Sequence, residues 1–198
     1  MSDINRLGKL DMIDFIEGVK ADIDYKELSI LISQIPDSSK LVESDLIAAI
    51  DVLPLIVKQY TDSFSFEFKG EEMKSYQYES LIWALGESFR QVLKNNKSYR
   101  RKPTLFSYIE SVALDKRFGS GRESFVMLMG QYGGPERIPS LRDLLLDDEV
   151  CGHAVYSLRL LGAVEAEKDI KPFLESSKTW VRNQAKKYYK KIEKIKGS

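Results

Sequence analysis

A single cysteine, Cys151, and a single histidine, His153, stand in a chain of 198 residues, and their scarcity removes several kinds of chemistry at the outset. One thiol cannot close an intramolecular disulfide and is easily carried in a reducing compartment. A zinc site built from the usual nitrogen and sulfur donors requires three or four ligands, and no second histidine or cysteine exists to supply them. A Cys–His nucleophilic pair is also disfavoured, because two residues that are two positions apart on a helix point in different directions. The expectation is a protein with neither metal nor cofactor. Long apolar runs are missing too: nothing approaches the roughly 18 residues of a membrane span. The opening Met1-Ser2-Asp3-Ile4-Asn5-Arg6 lacks a basic region followed by a hydrophobic stretch, so neither a membrane protein nor a cleaved secretion signal is expected. These absences together predict a cytoplasmic protein.

Nucleotide motifs are absent as well. Gly119-Ser120-Gly121 lacks the third glycine and the preceding strand of a dinucleotide fingerprint, and no Gly-Lys-Ser or Gly-Lys-Thr completes a phosphate loop. It reads as a turn. The formal net charge of zero excludes a general electrostatic sponge for nucleic acid, but it conceals an asymmetry. Residues 1–70 hold 13 acidic and 7 basic side chains, a balance of −6. Residues 178–196 hold eight bases against one acid, Glu193.

What the chain does have is apolar residues at helical spacing almost throughout. Hydrophobic residues make up 43% and charged residues 30% of the sequence, a balance that suits a folding globular chain and not a disordered one. Alternation at period two occurs in one place only: Ser63, Phe64, Ser65, Phe66, Glu67 and Phe68. A lone strand has no partner, so the Phe64 to Phe68 segment is expected to be a loop whose phenylalanines cover helix ends, with a short strand or hairpin arm as the alternative.

Caps and breakers place the helices. The first is expected near 3–20. Asp24, with Glu27 three residues on, opens a second over 24–35, which Pro36 stops. A third runs over 40–60, interrupted at Pro54, and a long fourth over 71–94. Thr104 is placed to cap a helix ending near Lys116. In the C-terminal helix Val181, Ala185, Tyr188, Ile192 and Ile195 follow spacings of 4, 3, 4 and 3 and so line one face.

The clearest pattern is a repeat. Arg122, Cys151 and Arg182 are 29 and 31 residues apart, and so are Phe125, Ala154 and Ala185. A period near 30 filled by two helices is the mark of a helical-repeat array. The stretch Met129-Gly130-Gln131-Tyr132-Gly133-Gly134-Pro135-Glu136-Arg137-Ile138-Pro139-Ser140-Leu141-Arg142-Asp143-Leu144-Leu145 resembles a HEAT-like repeat of the bilin lyase type, with Met129 and Arg137 as its departures. Asp147, Asp148, Glu149 and Val150 match the turn into that repeat's second helix, and Ala154 and Leu158 match the helix itself, while Cys151 replaces the family's arginine. Gly162 and Ala166 restart the cycle, and Val181, Arg182 and Ala185 open the last helix in register.

The resemblance implies an all-α fold, an α-α superhelix (HEAT/ARM-like solenoid) of about ten helices in one domain over 1–198. Residues 121–195 are its recognisable part, and 1–116 form a divergent helical half. It also implies a non-enzymatic protein-binding surface. A bacterial immunity protein that neutralises a toxin is the narrower expectation, held by analogy. The candidate contacts are Asp11, Asp14, Tyr76, Tyr78, Tyr132 and Tyr156, which combine an acidic rim with aromatic anchors.

An alternative is a nucleic-acid-binding protein related to the HEAT-like DNA glycosylases, contacting phosphates through Lys186, Lys187, Lys190, Lys191 and Lys194. A bilin lyase-like protein is a third, implied only by the family in which the repeat was first described. Asp143, Asp147, Asp148 and Glu149 form a run of carboxylates, but the last three lie at an interhelical turn, where acids are expected to cap a helix N-terminus.

Overall fold

A computed structural model describes residues 12–37, 41–68 and 71–197. The chain gathers into two compact units, Met1–Tyr99 and Arg100–Ser198. Among the described residues eleven α-helices account for most of the structure, so the protein is all-α apart from one β-hairpin.

In the first unit α1 (Met12–Lys20), α2 (Tyr25–Gln34), α3 (Glu43–Asp51) and α4 (Leu53–Gln59) precede the hairpin, and α5 (Gln77–Asn95) follows it. Asp24 caps α2, its carboxylate accepting from the Lys26 amide at 2.9 Å. The expected break at Pro54 occurs: α3 ends against Val52, and Pro54 sits in the first turn of α4, where its missing N–H costs nothing. Phe15, Val19, Leu28, Ile32, Leu46, Leu53, Ile56, Leu85 and Phe89 are wholly buried and form the core. Within it the Ser88 hydroxyl donates to the Ile32 carbonyl at 2.8 Å, so a buried polar group on α5 is satisfied by α2.

Two expectations fail at the hairpin. The Phe64 to Phe68 segment is not a loop: Ser63–Phe68 is β1, paired antiparallel with β2 (Glu71–Tyr76) in a register that sets Ser63 opposite Tyr76 and Phe64 opposite Ser75. Consequently the fourth helix starts at Gln77 and not at Glu71. The sequence Glu71-Glu72-Met73-Lys74 has good intrinsic helix propensity, but β1 offers a full ladder of backbone partners, and tertiary pairing overrides the preference. The helix begins where the Glu79 carboxylate reaches back to accept from the Tyr76 amide at 2.9 Å.

The second unit consists of helix pairs. α6 (Pro103–Leu114) leads into α7 (Glu123–Leu128), which runs on as a wider turn over Met129–Gly133. α8 (Ile138–Asp143) pairs with α9 (Cys151–Leu161), and α10 (Glu167–Ile170) precedes α11 (Thr179–Lys196). The second members α7, α9 and α11 pack in succession. Phe125, Ala154 and Ala185, one on each, are all fully covered. Thr104 does not cap α6: the helix starts at Pro103, whose fixed φ suits a first turn, and it ends at Leu114 because Asp115 leaves to accept from the Arg117 amide.

Glycines set the spacing in two places. A Cβ on Gly130 would lie 2.4 Å from the Cα of Ser157, so α7 and α9 approach backbone to backbone there. Gly162 has φ +69°, the left-handed conformation that ends α9.

Candidate functional site

The helix starts of the second unit are tied by an arginine. Arg122 is fully buried, donating through Nε to the Gly119 carbonyl, through Nη1 to the Ala113 carbonyl, and through Nη2 to Asp147 and Glu149, each at 2.8 Å. Burial opposes its charge, but the hydrogen bonds with Glu149 and Asp147 outweigh it and the pKa is raised. For Asp147 burial likewise pushes upward, and the Arg122 hydrogen bond and the Glu149 amide hold the carboxyl below its usual value.

The carboxylate run divides between two tasks: Asp147 Oδ1 accepts from the Glu149 amide at 3.2 Å in the turn entering α9, as a capping acid does. The N-cap residue of α9 itself, Val150, offers no side-chain cap. The other Asp147 oxygen and the Glu149 carboxylate go to Arg122, because a buried guanidinium without anions is costly.

The lone cysteine and the lone histidine lie near this junction. The Cys151 thiol is buried, which raises its pKa. The His153 ring packs against Trp180 with centroids 4.8 Å apart. Burial, reinforced by Lys178, lowers its pKa to about 4, so it is neutral at pH 7. A Cβ on Gly152 would meet the Trp180 indole at 2.2 Å, which shows how closely α11 seats on α9. Among the described residues no group of three histidine, cysteine, aspartate or glutamate side chains is placed to hold a metal ion, and no helix is long and apolar enough to cross a membrane.

A groove of about 570 Å³ lies between the first helices of the last two pairs. One wall is α8 and the turn Leu144–Leu146, and the other is α10 and the turn Lys171–Glu175. Pro139, Arg142, Asp143 and Leu146 recur at helical spacing along the first wall; Asp169, Pro172 and Phe173 do so along the second. Arg142 bridges the two, its Nε donating to Asp169 Oδ2 at 2.6 Å. Asp143 is exposed, as is Leu146, 90% accessible although its neighbours Leu144 and Leu145 are buried.

The residues expected at the site are distributed as follows. Asp11 lies outside the described residues. Asp14 is exposed in the first turn of α1. Tyr76 and Tyr78 meet at the end of β2, rings stacked at 5.5 Å, with Lys74 over Tyr76. In the second unit Tyr132 is half-buried beneath the Arg100 guanidinium, and Tyr156 is half-buried beneath Arg159 while its hydroxyl accepts from Gln131 at 3.0 Å.

Lys186, Lys187, Lys190 and Lys194 are exposed on α11. Lys191 is half-buried and donates to the Leu160 carbonyl at 2.8 Å. None of these residues lines the groove. The sequence signal that could have found it is the leucine triplet at 144–146, where the repeat needs only two for its core.

No protein-family model matches the chain, and no curated protein matches it. A crystal structure of an engineered protein is similar over 92% of this chain at 14% sequence identity, with a TM-score of 0.46. The match spans 47% of that protein's length.

Proposed function

We propose that the chain is a non-enzymatic protein-binding module and that its second unit is a HEAT-like repeat array. The observation that carries this reading is Leu146, 90% exposed at the lip of a groove whose walls also present Pro139, Pro172 and Phe173. Covering a leucine contributes about 1.5–3 kcal/mol, and in this chain that contribution is left for another molecule to collect. Scattered exposed leucines are ordinary; one beside an aromatic ring and two prolines, with charged groups around it, has the composition of an interface core and rim. The burial of Phe125, Ala154 and Ala185, spaced 29 and 31 residues apart on successive second helices, supports the repeat assignment. A toxin-neutralising immunity protein is the narrower form of the proposal, and it rests on analogy alone.

The test is affinity capture with the full chain as bait, run beside the Leu146→Asp variant. A protein partner retained by the wild type and lost by the variant is the expected result. Failure of the wild-type bait to retain any protein would remove the reading.

A second reading, nucleic-acid binding, draws on the exposed Lys186, Lys187, Lys190 and Lys194 of α11, on a unit whose α9 carries no acid. Duplex DNA affinity that falls steeply with salt would support it, and no binding at about 50 mM salt would dismiss it.

A further inference from the structure

The charges around the groove specify what kind of protein segment fits it, an inference that rests on the protein-binding reading. Two carboxylates, Asp143 and Asp169, and one guanidinium, Arg142, line it. The guanidinium is committed to Asp169 at 2.6 Å. Asp143 is left as an exposed carboxylate with no ion pair among the described residues, so the lining carries one net negative charge.

Position matters as much as sign. Asp143 and Leu146 are three residues apart where α8 tightens into the Leu144–Leu146 turn, a spacing that stacks side chains on the same side. Pro139, four residues before Asp143, extends that line. An apolar anchor and an anion therefore stand side by side on one wall, facing Pro172 and Phe173 on the other.

We infer that the groove docks a segment of another protein in which a bulky apolar side chain is flanked by a lysine or arginine. The apolar side chain enters between Leu146 and Phe173, and the cation pairs with Asp143. An acidic segment would meet Asp143 and Asp169 with like charge, and a purely apolar one would strip water from Asp143 without replacing its partner. A partner cation supplies that replacement. It also favours encounter, because the approaching segment and the groove carry opposite charge.

Selection of displayed 12-residue peptides against the full chain tests this directly. The expected outcome is enrichment of peptides pairing a leucine, phenylalanine or similar side chain with a nearby lysine or arginine. Synthetic versions should bind Leu146→Ala about tenfold more weakly. They should also lose binding to Asp143→Lys, which a peptide with its cation changed to glutamate regains. Thermal unfolding of both variants should match the wild type, since both positions are exposed, so a loss of binding cannot be ascribed to misfolding.

Enrichment of acidic or uncharged peptides, binding indifferent to Leu146, or no enrichment at all would each overturn the inference. The first two outcomes leave the protein-binding reading standing, since peptides still bind. That reading falls separately, when the wild-type bait retains no protein.

Discussion

Arg122 Nη2 lies 2.8 Å from Asp147 Oδ2, with the guanidinium fully buried and the carboxylate nearly so. The pair joins the start of α7 to the turn before α9, and with the Glu149 carboxylate on the same guanidinium it fastens two successive helix pairs. Replacing Arg122 by Ala leaves the Gly119 and Ala113 carbonyls without their side-chain donor and strips Asp147 of its buried cation, so that it keeps only the Glu149 amide and the more distant Lys116. A loss of about 3–5 kcal/mol is expected, read as a lower urea midpoint. A shift under about 1 kcal/mol would mean that the contact contributes little.

The approach of α7 to α9 has no room for a methyl group at Gly130. Gly130→Ala places a Cβ against the backbone of Ser157, which cannot swing aside, so a loss of at least about 2 kcal/mol is expected. Gly162→Ala pays instead for a left-handed φ, about 1–2 kcal/mol. Denaturation of the two variants should rank them in that order; the reverse order would contradict the helix contact.

Acid should weaken the second unit in two stages. His153 has a folded pKa near 4 against an unfolded value of about 6.5, so between those values the unfolded chain binds more protons. Its neutral form is fully accommodated above pH 6.5, and stability then falls as pH drops toward 4, by roughly 3–4 kcal/mol in the limit. Asp147, held below its ordinary value, adds a further loss only as pH falls below about 4. Unfolding free energies measured from pH 7 to 4 should slope downward in the wild type and lie flat in His153→Phe. Equal slopes in both proteins would show that the ring protonates without cost.

Leu145 and Leu146 are adjacent but should respond oppositely to truncation. Leu145 is 6% exposed and Leu146 90% exposed. Leu145→Ala should cost about 2–5 kcal/mol through the cavity it opens, whereas Leu146→Ala should stay within about 0.5 kcal/mol of wild type. Thermal melts of the pair decide this, and a large loss for Leu146→Ala would place it in the fold and not in an interface.

Helical periodicity was readable wherever one face alone meets the core. Val181, Ala185, Tyr188 and Ile192 are all buried as their spacing requires. Ile195, next in the same series, is 44% exposed, because α9 has already ended at Gly162 and only its last turn remains to be covered. The Tyr188 hydroxyl donates to the Ala163 carbonyl, a partner 25 residues away that no periodicity specifies.

The sequence by itself determined what depends on near neighbours along the chain: the Asp24 cap, the break at Pro54, the buried stripe of the last helix, and the interval of about 30 residues between Arg122, Cys151 and Arg182. Tertiary structure decided what depends on partners far away. β2 forms against its own helix propensity because β1 supplies the hydrogen bonds. Asp147 divides its carboxylate between the Glu149 amide and Arg122 because the guanidinium is buried beside it. Leu146 became conspicuous only once its two leucine neighbours were seen to fill the core, since exposure is a property of packing and the letters of a leucine triplet are identical.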